Sequence, residues 1–505
     1  MADISQKLSR TMSMVQNGKY FVINRPRQYG KTTMLEAIAS SLRQTKEWLV
    51  FNISFEGLGS ESFQNEASFC RSFLRLMNLQ LIEADEHTLT DLFNPLQESS
   101  TNLSDLSQII STFANRANRK LALFIDEVDK SSNNQLFLDF LSLLRNKYLR
   151  RHLKTEHTFD CVILAGLHDV KSLKLKLRPD QDQKFNSPWN IATDFTVDMN
   201  LQINEIQPML EEYARDHHID LDAPSIAERL FYYTSGYPFL VSKLCKVIAE
   251  QLLPEKEVHS WDATEVERAV AKVVKETNTN FDSLIKNLEN NPDLYEFVFK
   301  NLIEVEYQSY SIHENMFSLG LMYGILKNGQ GIRIHNRIYE EVIYDYMTSK
   351  ARTQVSLAEY NISKNFILPT QGLNLEAVLL RFQAFMREQH SLKDQHFLER
   401  NARLVFLAFI KPIINGSGYD FKEPQISEER RLDVAITYLQ YKYIVELKIW
   451  RGLDAHEEGL KQLADYLDRQ ALSEGYLLIF EQLKQKTWSS TWETMDGKRI
   501  FVVRV

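Results

Sequence analysis

Arg25-Pro-Arg-Gln-Tyr-Gly-Lys-Thr-Thr33 stands just behind the apolar run Tyr20-Phe-Val-Ile23. It carries the Gly-Lys-Thr of a phosphate-binding loop, with Arg25 where such a loop normally has its first glycine. A nucleotide loop needs backbone N–H groups aimed at the phosphates, a lysine that reaches the terminal ones, and a hydroxyl for magnesium at the start of a helix. Gly30, Lys31, Thr32 and Thr33 meet the last of these needs. They follow a strand-like run and lead into the helical periodicity of Thr33 to Leu42, the context the motif requires. They are the candidate cofactor-binding residues.

The partner motif lies further along. Leu121-Ala-Leu-Phe-Ile-Asp-Glu127 is an apolar strand ending in two adjacent carboxylates. In ATPases of the kind called Walker-type the first carboxylate holds Mg²⁺ through water and the second polarises the attacking water. Asp126 and Glu127 fit those roles, and the plainer alternative is a strand running into an acidic turn capped by Asp129. Two neighbouring carboxylates beside a phosphate site repel unless a cation neutralises them. Arg25 or Arg27 is placed to touch phosphate or to neutralise developing charge, with a loop-surface salt bridge as an equal alternative. Gly57-Leu-Gly59 is a poor dinucleotide signature, because Ser62 stands where a third glycine is needed.

A chain of 505 residues exceeds the roughly 250 to 300 at which one core stops growing, so two or three domains are expected. No apolar stretch approaches the roughly 20 residues that span a bilayer, so no membrane partner is expected. The start, Met1-Ala-Asp-Ile-Ser, lacks a basic segment followed by an apolar one, which suggests a cytoplasmic protein. Three separated cysteines, Cys70, Cys161 and Cys245, argue against a disulfide framework or a thiolate zinc site and read as core residues. The net charge of −8 repels nucleic acid over the whole molecule, so any such binding needs a local basic patch. Lys171 to Lys184 is one candidate, although a solvated face is the simpler explanation. No zinc-protease helix, serine elbow or thiol dyad is present, and His217-His218 reads as surface.

Apolar runs at Tyr20 to Ile23, Trp48 to Phe55, Leu121 to Ile125 and Cys161 to Ala165 alternate with helical stretches, the pattern of a parallel sheet covered by helices. The chain therefore reads as an α/β multidomain protein. Residues 1–205 form a P-loop parallel-sheet core, and 206–360 a helical lid with a winged-helix element between Tyr307 and Ile334. Residues 365–505 form a compact C-terminal α/β unit.

In that last unit, Asp433 of Arg430-Arg-Leu-Asp-Val-Ala precedes Tyr443-Ile-Val-Glu-Leu-Lys448. Residues two apart on a strand share a face, so Glu446 and Lys448 point one way and Leu447 points into the core. If Asp433 lies on the adjoining antiparallel strand, its carboxylate converges on the same face. Two carboxylates then bind Mg²⁺, the metal lowers the pKa of a bound water, and the lysine orients or deprotonates that water for attack on a phosphodiester. Taken singly, Glu-x-Lys on an edge strand is weak evidence.

Taken together, these stretches resemble bacterial AAA-like P-loop ATPases related to the STAND type that carry a C-terminal PD-(D/E)XK nuclease-like domain. The resemblance rests on Arg25-Pro-Arg-Gln-Tyr-Gly-Lys-Thr32, Ile53-Ser-Phe-Glu-Gly57, Phe124-Ile-Asp-Glu127, Gly166-Leu-His-Asp169, Ser187-Pro-Trp-Asn190 and Gly236-Tyr-Pro238. It implies a restriction-endonuclease-like C-terminal fold, and it accounts for the Arg-Pro-Arg form of the loop. It makes His168 a candidate γ-phosphate sensor, with a structural histidine as the alternative. It also marks Glu399 as a helical acid supplementing the metal site, and Gln462 and Tyr466 as a Gln-x-x-x-Tyr pair positioning metal ligands or DNA phosphate. Leu432 departs from the proline of the superfamily's name. The implied function is an ATP-binding, Mg²⁺-dependent nuclease, Mn²⁺ also serving, that cuts DNA rather than RNA under control of its ATPase, in anti-phage defence or genome maintenance. The alternatives are a nucleotide-dependent switch or scaffold whose C-terminal domain binds nucleic acid without cutting, and an ATPase whose purpose is homo-oligomerisation.

Overall fold

The computed structural model describes residues 2–98, 100–131, 134–153, 155–167, 189, 191–255, 260–303, 315–327, 332–354, 366–388, 405–407, 409–410, 418–422, 434–450, 453–481 and 487–505. Two compact units divide it, one of residues 1–294 with 310–340, the other of 295–309 with 341–505.

The first unit is built on a parallel sheet of β1 (Tyr20–Asn24), β2 (Trp48–Ser54), β3 (Lys120–Asp126) and β4 (Cys161–Gly166), in the order β1-β4-β3-β2. All three pairings are parallel. Such strands are buried on both faces, so they read as continuous apolar runs, and β4 is buried at every position. Helices α1 (Ser5–Gln16), α2 (Lys31–Gln44), α3 (Glu66–Glu83), α4 (His87–Glu98), α5 (Leu103–Ala117) and α6 (Gln135–His152) accompany the sheet. Asn65 and Asn102 cap α3 and α5 by accepting backbone N–H groups from Ser68 and Asp105. Phe51, Phe55, Phe69, Phe73, Phe113, Phe137 and Phe140 interlock in the core between strands and helices.

The same unit continues into α7 (Ile203–His217), α8 (Ala223–Thr234), α9 (Pro238–Val247), α10 (Ala263–Val273) and α11 (Thr279–Glu289). Short strands β5 (Asp220–Leu221) and β6 (Ser260–Trp261) pair in parallel between them. Helix α12 (Pro292–Ile303) precedes α13 (Asn315–Met322), the hairpin β7 (Leu326–Lys327) with β8 (Arg333–Ile334), and α14 (Arg337–Gln354). His217 ends α7 and His218, left-handed at φ +52°, caps it; both are exposed.

Gly236, between α8 and α9, sits at φ +75°, and a Cβ there would fall 2.0 Å from the Leu201 carbonyl oxygen. Its own carbonyl accepts the Leu201 N–H at 2.7 Å. Gly236→Ala therefore combines left-handed strain with a backbone collision. It is expected to destabilise the unit by about 2–5 kcal/mol, read as a lowered urea midpoint. A midpoint within error of wild type would mean that the α8–α9 turn opens freely.

The second unit is a mixed sheet of β9 (Gly418–Lys422), β10 (Val434–Tyr438), β11 (Tyr441–Ile449), β12 (Glu474–Phe480), β13 (Ser490–Met495) and β14 (Lys498–Arg504), in the order β13-β14-β12-β11-β10-β9. β11, β12 and β14 are parallel neighbours, and the outer strands pair antiparallel. Helix α15 (Leu375–Glu388) covers one face with Val378, Phe382 and Phe385. The other face takes Leu460, Leu463 and Leu467 of α16 (Leu453–Arg469). β9 and β13 are strands that sequence periodicity did not suggest.

Candidate functional site

Parallel strands bring their carboxyl ends to one edge, where open α/β sheets bind ligands. Here β1 ends in the loop 25–30, β3 ends at Asp126, and β4 lies between them. Gly30 is left-handed, φ +80°, and serves as the N-cap of α2, so the loop turns straight into the helix start. The Thr32 Oγ1 donates to Asp126 Oδ2 at 2.6 Å. The other Asp126 oxygen accepts the Glu127 N–H at 2.9 Å. Hydroxyl and carboxylate thus meet at the helix start.

Lys31 is buried, and its Nζ donates to the Arg25 and Pro26 carbonyls at 3.0 Å each, which curls the loop around the ammonium. Burial pulls its pKa down, opposed by the charges of Glu127, Asp129 and Asp126. Burial pushes the Glu127 carboxyl up, with Lys31 drawing it back down and Asp126 adding to the rise. Glu127 also holds a left-handed backbone, φ +54°. Asp129 accepts the Leu167 N–H and ties the strand end of β4 to that of β3.

Arg25 plays neither of the parts expected of it. Its guanidinium is turned away into carbonyls, donating to Asn24 at 3.0 Å, Phe195 at 3.3 Å and Val197 at 3.1 Å, and lies 5.4 Å from the Phe195 ring. The missing first glycine is explained by this: a side chain at position 25 anchors the loop from behind. Arg27 is exposed, and its charge is felt at Lys31. Thr33 is exposed on α2. His168 lies outside the described residues, as do Lys171 to Lys184.

Residue by residue, the segment 26–29 is held by residues from Asn200 onward in the first unit. Gly324 approaches Pro26, since a Cβ there would sit 2.6 Å from its Cγ. Tyr237 Oη donates to the Arg27 carbonyl at 2.7 Å. Gln28 Nε2 donates to Thr279 Oγ1 at 3.3 Å. Tyr29 Oη lies 2.5 Å from Asn200 Oδ1 and 3.0 Å from His335 Nε2. Sequence reading missed Tyr29, Asn200 and His335. Tyr29 lies inside the motif, yet nothing in periodicity shows that a residue some three hundred positions away receives it.

Burial, helped by the Lys327 charge, lowers the pKa of His335 from 6.5 to about 3. Between those values the unfolded chain binds the proton and the folded chain does not. Stability is therefore full above about pH 6.5 and is lost as pH falls toward 3, by about 1.4 kcal/mol per pH unit. Urea titrations at pH 7, 6 and 5 are expected to show a shallower decline for His335→Gln than for wild type. Parallel slopes would mean that His335 is solvated.

In the second unit, Glu446 and Lys448 share one face of β11 with their side chains joined, Nζ to Oε1 at 2.7 Å. Glu446 is buried, and Lys448 also donates to Gln462 Oε1 on α16 at 3.0 Å. Gln462 Nε2 in turn donates to Glu458 at 3.0 Å. Gly459 lies over the Lys448 stem, the space of its absent Cβ being 3.7 Å from Lys448 Cε. Lys442 reaches Gln470 at 2.8 Å. With Gln462 over Lys448 and Gln470 over Lys442, α16 runs back along β11 and carries Tyr466 between these two contacts. The Tyr466 hydroxyl is buried and has no hydrogen-bond partner among the described residues.

Asp433 and Glu399 lie outside the described residues. The residue after Asp433, Val434, pairs with Val445, the neighbour of Glu446. Among the described residues no three of His, Cys, Asp or Glu converge as a metal cage.

The profile of the AAA-like domain family matches residues 4–342. An uncharacterized WD repeat-containing protein of Synechocystis sp. is 24% identical over 294 residues, which are 57% of this chain and 22% of that protein. The match thus spans about a fifth of that relative. Among solved structures, the Walker-type ATPase PABY2304 of Pyrococcus abyssi aligns at 10% identity and a TM-score of 0.46, covering 68% of this chain and 96% of that one. The ADP form of the ORC2 protein of Aeropyrum pernix aligns at 12% and 0.35, over 68% and 93%. A RuvB variant of Thermotoga maritima aligns at 14% and 0.34, over 71% and 94%.

Proposed function

Because the chain belongs to the family of AAA-like domains, its first unit being a P-loop ATPase fold, we propose that it binds and hydrolyses ATP and that its second unit is a metal-dependent DNA nuclease. In this reading Lys31 and the N–H groups of the loop through Gly30 take the phosphates, and Arg27 and Thr33 border them. Thr32 and Asp126, already 2.6 Å apart, fit a magnesium ion at the helix start. Glu127 accepts the proton of the attacking water, and its burial makes it a stronger base than an exposed carboxylate.

The observation that carries the nuclease reading is the bonded set Glu446, Lys448 and Gln462; Tyr466, four residues along α16 from Gln462, has a buried hydroxyl with no partner among the described residues. A buried hydroxyl left without a partner suits a bound hydrated cation or phosphate. When bound, Mg²⁺ or Mn²⁺ supplies a water of lowered pKa and offsets phosphate charge. Glu446, Asp433 and Glu399 are its proposed ligands. Lys448, steered by Gln462, holds the attacking water's proton, and Tyr466 faces the phosphate. His168 is proposed as the γ-phosphate sensor. A homo-oligomer remains part of this reading. Among the described residues no helix is long and apolar enough to cross a membrane.

The alternative is a nucleotide-dependent switch or scaffold whose C-terminal unit binds DNA without cutting. Incubation of the full chain with linear and supercoiled DNA, and with RNA, in Mg²⁺ or Mn²⁺, with and without ATP, decides between them. Fragments that appear only with metal support the nuclease. Retarded but intact DNA supports the switch.

A further inference from the structure

Phosphate binding by a loop requires glycine freedom, N–H groups and a lysine, but it does not require a buried tyrosine at position 29. That side chain is buried, and its hydroxyl has two partners. The tyrosine carries one proton, and Asn200 Oδ1, at 2.5 Å, accepts only. The Tyr29 oxygen is thus left to accept from His335, whose Nε2 must carry the hydrogen. The opposite nitrogen, Nδ1, is then an acceptor, and it faces the donor Nδ2 of Asn336 at 3.4 Å. A neutral imidazole of one tautomer satisfies every member of the chain.

Asn336 is the residue before α14, and its Oδ1 caps that helix by accepting the Tyr339 N–H at 2.8 Å. Tyr339 is buried and donates to Asn280 Oδ1 at 2.7 Å. Tyr237 fills the centre, its ring 4.7 Å from Tyr29, 5.4 Å from His335 and 5.3 Å from Tyr339. The division between the compact units falls at Glu340, inside α14. Tyr339 belongs to the first unit, while Tyr344, further along the same helix, packs against the core of the second.

We infer that Tyr29, His335 and Asn336 form the link through which nucleotide in the loop tightens the cap of α14, the helix that runs on toward the C-terminal unit. The inference rests on the nucleotide-binding reading and is independent of whether the second unit cuts DNA. A phosphate that orders the loop fixes Tyr29. Its two hydrogen bonds then hold the His335 ring, the ring holds the Asn336 amide, and the amide holds the first turn of α14. His335 and Asn336 are positioning residues in this chain.

Hydrogen exchange of the peptides over 337–354, measured on the full chain with and without ATP and Mg²⁺, tests this alongside titration with a fluorescent ATP analogue. In wild type, nucleotide is expected to slow exchange in the first turns of α14 by about 5-fold or more. His335→Leu is expected to lose that slowing, and His335→Gln, whose amide N–H can stand where Nε2–H stands, to keep it. Tyr29→Phe breaks the link from its other end and is expected to lose the slowing too, which covers the case of an unfolded leucine variant. Wild type that binds ATP with no change over α14, or a leucine variant that responds as wild type does, overturns the inference alone. Wild type that binds no nucleotide overturns the ATP reading, and the inference with it.

Discussion

Hydrolysis of ATP by Glu127→Gln is expected to fall about 10²- to 10⁴-fold, the usual contribution of a positioned general base, while ATP remains bound. The amide nearly matches the carboxylate in shape, so Thr32, Asp126 and the loop stay where they are, but it cannot take the proton from water. Wild-type activity should also carry its origin in its pH profile. Burial raises the Glu127 pKa, and ionisation is needed for activity, so the acid limb of kcat is expected above the ordinary carboxylate range. Steady-state hydrolysis between pH 5 and 8 checks both points. A variant within about 3-fold of wild type would remove Glu127 from the mechanism, because a positioned general base typically contributes about 10²-fold or more.

Lys448→Ala is expected to lower metal-dependent cleavage of DNA by at least about 10³-fold, with ATP hydrolysis unaltered. The lysine is bonded to the carboxylate and to the helix that would face the scissile phosphate, so its loss removes a charge and a steering contact together. Leaving Glu446 buried without its cation also destabilises the strand face, so the comparison needs Lys448→Arg. Arginine keeps the charge and the burial of Glu446 but does not give up its proton. Cleavage lost in both variants, with unfolding midpoints near wild type for arginine, supports a role in chemistry. Cleavage retained in alanine would place the active site elsewhere.

Much of the first unit was open to reading along the chain. Its parallel strands are buried on both sides and appear as apolar runs, so Leu121 to Ile125 and Cys161 to Ala165 declare themselves. The loop 25–32 and the pair Asp126-Glu127 sit at strand ends, where a short motif and its structural context are local facts. In the second unit the same logic found β10, β11, β12 and β14, whose buried faces carry the pattern. It missed β13, a strand with no fully buried residue whose sequence Ser-Thr-Trp-Glu-Thr-Met has little apolar periodicity. The part assigned to Arg25 failed for a different reason. A guanidinium beside a phosphate loop suggests phosphate, but the backbone carbonyls of Phe195 and Val197 are brought to it by a segment far away in sequence.

The sequence by itself determined that residues 25–33 follow a strand and open a helix, that 121–127 is a strand of the parallel sheet ending in two carboxylates, and that Glu446 and Lys448 share one strand face, because helix and strand periodicities and strand-end motifs are properties of neighbouring residues. Only the tertiary structure decided that Arg25 faces inward, that Gln462 meets Lys448 while Tyr466 has no partner among the described residues, and that Tyr29 is bonded to Asn200 and His335. Those pairings join residues up to about three hundred positions apart. Which distant groups meet follows from how whole helices pack against the sheet and loop, and a buried hydroxyl takes whichever partner that packing delivers.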